Sequence, residues 1–138
     1  MKILIPLDGS DISQHTVDWV CRTFEPKTHT FYLLVVLAEP MIAEYKLEDA
    51  METLNKTKAQ LEGCGLSVAK AEYLTGEPVH RICQYADEEA IEQIFMGSHG
   101  RTGIIKALLG SVSQGVMEHS KQPVSIYRHH VKKPAAVQ

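Results

Sequence analysis

The sequence is short of several features that would assign it to a familiar class. No apolar run approaches the roughly 20 residues that cross a bilayer, so we expect no membrane association. The formal net charge is −3, and Lys132 and Lys133 form the only notable basic cluster, which argues against a nucleic-acid partner. Cysteine is scarce, with three residues and no Cys-x-x-Cys spacing, a pattern typical of a reducing cytoplasm.

The three cysteines are expected to play no active part. Cys21 and Cys83 fall on apolar helical faces, where a buried and inert thiol is the favoured interpretation. Cys64 lies between Gly63 and Gly65 in a predicted turn, so we expect it to be exposed and open to oxidation. The pattern assigns no role to any of them.

Several catalytic and binding motifs are also missing. The chain has no Gly-x4-Gly-Lys-Ser/Thr phosphate loop, and Gly63-Cys64-Gly65 precedes a strand, which is the wrong context for a dinucleotide fingerprint. The histidines lack zinc-ligand spacing, and no carboxylate pair is placed for acid–base work. Efficient catalysis is therefore not predicted.

What is present is a regular alternation of strands and helices. The predicted strands are Lys2–Leu7, Thr30–Leu37, Leu66–Leu74, Ile91–Met96 and Pro123–Arg128. Helical periodicity predicts helices over about Ser10–Phe24, Ile42–Glu62, Pro78–Glu88 and Ile104–Ser120. This order predicts a single α/β domain over residues 1–128 with a doubly wound five-stranded parallel sheet, flavodoxin-like or related, and a flexible tail over 129–138.

Sheets of this kind bind ligands beyond the carboxyl ends of their strands, so the loop after the fourth strand is the place to look. It contains Gly97, Gly100 and Gly103, with Arg101 between them and Gly110-Ser111 further on. Glycine amides beside a helix start can cradle phosphate, and Arg101 would add a positive charge. The alternative is that these glycines only form a tight turn.

The spacing Gly97-x2-Gly100-x9-Gly110-Ser111 resembles the G-x2-G-x9-G-[ST] motif of the universal stress protein family. The opening segment from Ile3 to Ser10 is similar to the first strand and loop of that family. Gly76-Glu77-Pro78 and the closing run Gln122–Tyr127 are also similar in position and type. The resemblance covers nearly the whole chain.

The resemblance implies a Rossmann-like sandwich of the adenine nucleotide α-hydrolase type, with strand order 3-2-1-4-5. It also implies binding of ATP with Mg²⁺ and pairing of two copies through the last strand, Val124–Tyr127. Asp8 would contact the ribose hydroxyls, with Pro6 and Leu7 flanking the adenine. Val36 would line the adenine pocket and Met96 would close it. The residues implied to hold ribose and phosphates are Gly97, His99, Gly100, Gly110, Ser111 and Val112.

Three functions are compatible with these features. The leading one is an ATP-binding regulatory module of the stress response that acts as a cytoplasmic dimer. The second is a slow ATP hydrolase or phosphoryl-transfer enzyme, in which Mg²⁺ lies near Asp8 and either Arg101 or His99 stabilises the developing charge. The third is a protein-interaction domain whose phosphate cradle is vestigial.

Overall fold

A computed structural model describes residues 1–9, 11–38, 44–98 and 110–128 of the chain. The elements are β1 (Lys2–Leu7), α1 (Asp11–Thr23), β2 (Thr30–Leu37), α2 (Glu44–Gly63), β3 (Ser67–Thr75), α3 (Pro78–Glu88), β4 (Gln93–Gly97), α4 (Ser111–His119) and β5 (Val124–Tyr127). The strands form one parallel sheet in the order β3-β2-β1-β4-β5. The predicted fold class and strand order are confirmed.

The sheet divides two hydrophobic cores, one on each face. In β1, Ile3 and Ile5 point into the core shared with α1 and α2, whereas Leu4 points into the core shared with α3 and α4. All three side chains are fully buried. This explains the unbroken apolar run of β1, because successive side chains of a strand alternate between faces and both faces here are covered.

The predicted fourth helix is wrong at its start. Its expected range began at Ile104 and ran through Gly110, but Gly110 is extended, with φ −63° and ψ 155°, and α4 begins at Ser111. Helical periodicity continued across Gly110, whereas glycine favours a break in a helix. The segment from 104 to 109 lies outside the described residues, as do Ser10 and the predicted tail 129–138. The predicted bounds of β1, β2 and α3 match the structure at both ends, and the other bounds differ by one or two residues where they can be compared.

The expectation of an inert Cys21 thiol and a Cys64 without a role is also wrong. A disulfide joins the two residues, which are 43 positions apart in the sequence. Both are half-buried rather than buried or exposed. Cys83 is a half-buried free thiol, and burial raises its pKa above the ordinary value.

In the part of the chain that the structure describes, no helix has both the length and the apolar character needed to cross a bilayer.

Candidate functional site

A cleft of about 310 Å³ opens at the carboxyl ends of β1 and β4. From β1 the chain crosses to β2 on one side, whereas β4 pairs with β1 on the other side, so the cleft lies where the strand order reverses. Ligands of open α/β sheets bind at this position. The residues that line it are Pro6, Leu7, Asp8, Ser13, Val36, Pro78, Ile82, Met96, Gly97, Gly110, Ser111, Val112 and Ser113.

The inner part of the cleft is apolar. Leu7, Ile82 and Met96 are buried, with 6%, 3% and 5% of their surface exposed. Val36 and Val112 are half-buried and complete the lining. Apolar walls on both sides suit a flat ring such as a heterocyclic base.

The loop after β1 supplies the polar wall. The Asp8 backbone N–H donates to the Ser13 hydroxyl at 3.2 Å, which ties this loop to the first turns of α1. The Asp8 side chain is half-exposed at the cleft. A carboxylate only accepts hydrogen bonds, so in this position it suits a ligand that presents hydroxyl donors.

The start of α4 forms the opposite wall. Ser113 is buried and its hydroxyl donates to the Gly97 carbonyl at 2.7 Å, while the Gly110 N–H donates to the Ser98 carbonyl. These bonds fix the first turn of α4 against the end of β4. Within the described structure, no side chain caps this helix and its first turn carries no acidic residue. The leading N–H groups and positive dipole end of such a helix suit an anion.

The third wall comes from α3, which is held in place by its own cap. The Glu77 carboxylate accepts hydrogen bonds from Val79 N–H at 3.1 Å and His80 N–H at 2.7 Å. Pro78 fits the first turn because its missing N–H would have no helical partner there. This start places Pro78 and Ile82 along the cleft.

The structure brings together every described member of the site predicted from sequence. Pro6, Leu7, Asp8, Val36, Met96, Gly97, Gly110, Ser111 and Val112 all line the same cleft. His99, Gly100 and Arg101 lie outside the described residues.

Three lining residues were not predicted from the sequence: Ser13, Pro78 and Ile82. For Pro78 and Ile82 the sequence indicated only that the start of α3 lies at the carboxyl edge of the sheet, because α3 follows β3 directly. Ser13 carries a hydroxyl in the first turn of α1, and such positions often face a ligand.

Two other features of the described residues bear on the choice of site. No three His, Cys, Asp or Glu side chains among them converge to hold a metal ion. A larger depression of about 730 Å³ is lined only by α2 residues between Leu47 and Lys56, so it is the open face of one helix. The cleft at the strand ends, in contrast, is built by several elements together and lies at the switch point.

The fold and the cleft define an open, doubly wound α/β domain with a cleft at its switch point. Comparison with known proteins gives the family. The sequence model of the universal stress protein family matches residues 1–128, so the chain belongs to that family. Universal stress protein MJ0531 of Methanocaldococcus jannaschii is 33% identical, over 96% of this chain and 82% of that protein. Universal stress protein YxiE of Bacillus subtilis is 30% identical, over 92% of this chain and 98% of that protein.

Solved structures agree with this assignment. Protein MJ0577 of Methanocaldococcus jannaschii is similar with a TM-score of 0.81 at 30% identity, over 94% of this chain and 96% of that one. A universal stress protein from Archaeoglobus fulgidus in complex with dAMP has a TM-score of 0.73 at 22% identity, over 91% and 96%. A family protein from Arabidopsis thaliana with AMP bound has a TM-score of 0.73 at 17% identity, over 99% and 97%. The last two share the fold.

Proposed function

We propose that this protein binds an adenine nucleotide, with ATP as the leading ligand, in the cleft between β1, β4, α3 and α4. The observation that carries the proposal is that the predicted binding residues, drawn from separate parts of the chain, line one cleft at the switch point. The AMP and dAMP complexes of the Arabidopsis and Archaeoglobus proteins support adenine as the base.

The walls suggest how each part of the nucleotide is held. The adenine would lie against Leu7, Val36 and Met96, where apolar surface contacts both faces of a ring. Asp8 would accept hydrogen bonds from the ribose hydroxyls. The phosphates would extend to the start of α4, where the amides of Ser111 and Val112 belong to a positive helix end that no described side chain caps.

The size of the cleft and its few charged groups limit how a nucleotide could be held. A volume of about 310 Å³ lies at the small end of the range for ligand pockets, roughly 300–1,000 Å³, and suits a nucleoside with its phosphates directed outward. Asp8 is the only carboxylate among the described lining residues. Mg²⁺ would therefore be held mainly by phosphate oxygens and water, as Mg²⁺ usually is.

Nucleotide occupancy would act as a regulatory signal in the stress response. The cleft is built from the ends of β1, β2 and β4 together with the starts of α3 and α4, so a bound nucleotide contacts several elements at once. A ligand that bridges them stabilises the arrangement to which it binds. The nucleotide-loaded form would then differ from the empty form in its affinity for a partner.

A charge placed at Ser111 tests this proposal without disturbing the fold. Ser111 is exposed at the first position of α4, so Ser111→Glu adds a favourable charge to the helix start but repels phosphate. We expect calorimetric titration to show ATP affinity at least tenfold weaker than in wild type, with adenosine affinity unchanged. The neutral Ser111→Gln is the matched control and should bind ATP as wild type does. Equal ATP binding by all three proteins would refute a phosphate site at α4.

The ribose contact is tested separately at Asp8. Asp8→Ala should weaken both adenosine and ATP, because it removes an acceptor that both ligands use. Asp49→Ala, at an exposed position of α2 away from the cleft, is the control and should change neither. Phosphate release measured in the same samples addresses the hydrolase alternative, in which Asp8→Ala would abolish turnover.

We also propose that two copies pair through β5, which is an edge of the sheet. The Pro123 carbonyl accepts a hydrogen bond from Ile94 of β4, and the Tyr127 carbonyl accepts one from Ser98, which follows β4. By the alternation of a strand, the N–H groups of Val124 and Ile126 then point outward. In a dimer these two amides should exchange with deuterium slowly, and dilution should speed their exchange. Fast exchange at every protein concentration would contradict pairing at this edge.

A further inference from the structure

The disulfide lies where two helices end. Cys21 is in the last turn of α1, and Cys64 follows directly after Gly63, the last residue of α2. Their Cα atoms are 5.8 Å apart, near the most common spacing of a disulfide. Both residues are half-buried.

Beside the disulfide, the outer contact between the two helices is polar. The Gln60 side chain donates to Asp18 at 2.6 Å and accepts from Gln14 at 2.7 Å, and Gln14 also donates to Asp18 at 3.1 Å. Each such bond contributes little net stability, because water replaces it when the contact opens. The disulfide therefore adds a covalent link to a seam of weak polar contacts between α1 and α2, which is defined by Gln14, Asp18, Cys21, Gln60 and Cys64.

We propose that Cys21 and Cys64 are a reversible redox site: a dithiol in reducing surroundings that small-molecule disulfides oxidise to the bond seen here. One cysteine thiolate attacks the small disulfide, forms a mixed disulfide and releases one thiol. The second cysteine attacks the mixed disulfide, closes the internal bond and releases the other thiol. The protein loses two electrons and two protons, and the small disulfide gains them. Excess thiol reverses both steps.

Oxidation would lock the seam at the end of the molecule opposite the cleft. The helices run antiparallel to the strands, so the ends of α1 and α2 lie at the amino edge of the sheet, whereas the cleft lies at the carboxyl edge. The locked part includes the turn from α2 into β3, in which the Leu66 N–H donates to Leu61 at 3.0 Å. The redox state thus changes local opening of this turn, independently of nucleotide binding.

Thiol counting on the full chain tests the proposal. Protein is equilibrated at increasing ratios of oxidised to reduced glutathione, quenched, alkylated in denaturant and weighed by mass spectrometry. The reduced chain should carry three labels and the oxidised chain one label, which peptide mapping should place on Cys83. Cys83→Ser, the matched control, should form the internal bond as wild type does, and Cys64→Ser should not form it. Three labels at every ratio, glutathione adducts in place of the internal bond, or cross-linked dimers would overturn the proposal.

Hydrogen exchange, measured on the oxidised and the reduced protein before any denaturant is added, tests whether the bond restricts local opening. The amides of Cys64, Gly65 and Leu66 are bonded to the last turn of α2. Reduction should speed their exchange at least tenfold more than that of the Ile5 amide in the central strand. Equal effects at the turn and in the central strand would refute a local lock at this seam.

Discussion

The contact between α3 and α4 offers a substitution whose effect can be worked out from the structure. Gly115 lies in α4 against Val79 of α3, and a Cβ atom added at Gly115 would lie 2.6 Å from Val79 Cγ2 and 3.2 Å from Cγ1. Valine in a helix is held in one preferred rotamer, so its methyl groups cannot simply turn away. Gly115→Ala must therefore push the two helices apart.

Two opposing contributions determine the size of the effect. Alanine in place of glycine within a helix favours folding by about 1 kcal/mol. An overlap of this kind in packed structure costs about 1–3 kcal/mol. We expect Gly115→Ala to lower the free energy of unfolding by about 1 kcal/mol. Because α3 and α4 both line the cleft, ATP affinity should also fall, by about tenfold or about 1.4 kcal/mol.

The assay is urea unfolding followed by Trp19 fluorescence, with calorimetric titration of ATP. Gly63→Ala is the matched control: no atom of the described residues lies within 4 Å of the added Cβ, so it should stabilise the protein by up to about 1 kcal/mol. Adding Val79→Ala should make Gly115→Ala stabilising, because the overlap is gone. The reasoning is refuted if Gly115→Ala alone stabilises the protein as Gly63→Ala does.

Three further predictions concern stability. Among the described residues the buried Tyr85 hydroxyl has no hydrogen-bond partner. Tyr85→Phe should therefore stabilise the protein by about 1 kcal/mol in urea unfolding, and a loss of stability would contradict this. The Gln122 side chain and then Lys121 hold the pKa of Asp87 below its ordinary value. Its stabilising contribution is therefore present at neutral pH and lost as the pH falls through the lowered pKa. Asp87→Asn should be less stable than wild type at pH 7, and the deficit should shrink in acid; a deficit that does not change with pH would contradict this. Gly65 has φ +83°, so Gly65→Ala should cost about 1–2 kcal/mol in the same assay, and a neutral effect would show that the turn tolerates a side chain.

The fold was predictable because β1 and β4 are apolar at consecutive positions. Runs such as Ile3–Ile5 are apolar at consecutive positions only when both faces of a sheet are covered, and the sequence contains this pattern between helices. The glycine spacing at Gly97 and Gly110 then indicated which strand ends form the site. Both signals are local in the sequence.

The errors came from features that only the folded chain defines. Helical periodicity predicted a helix through Gly110, because periodicity measures apolar spacing and not backbone conformation. The Cys21–Cys64 pairing depends on how α1 and α2 lie side by side, which spacing along the chain does not reveal. Ile82 was not predicted as a lining residue for a similar reason, because the face of the sheet that α3 covers depends on the crossover after β3.

Nucleotide binding in the cleft at the strand ends is the central claim, and amide chemical-shift mapping tests it most directly. ¹⁵N-labelled protein is titrated with Mg-ATP and then with adenosine. We predict that both ligands shift the amides of Leu7, Asp8 and Gly97, and that only ATP also shifts those of Ser111 and Val112. No shifts, or shifts confined to the outer face of α2, would contradict the account.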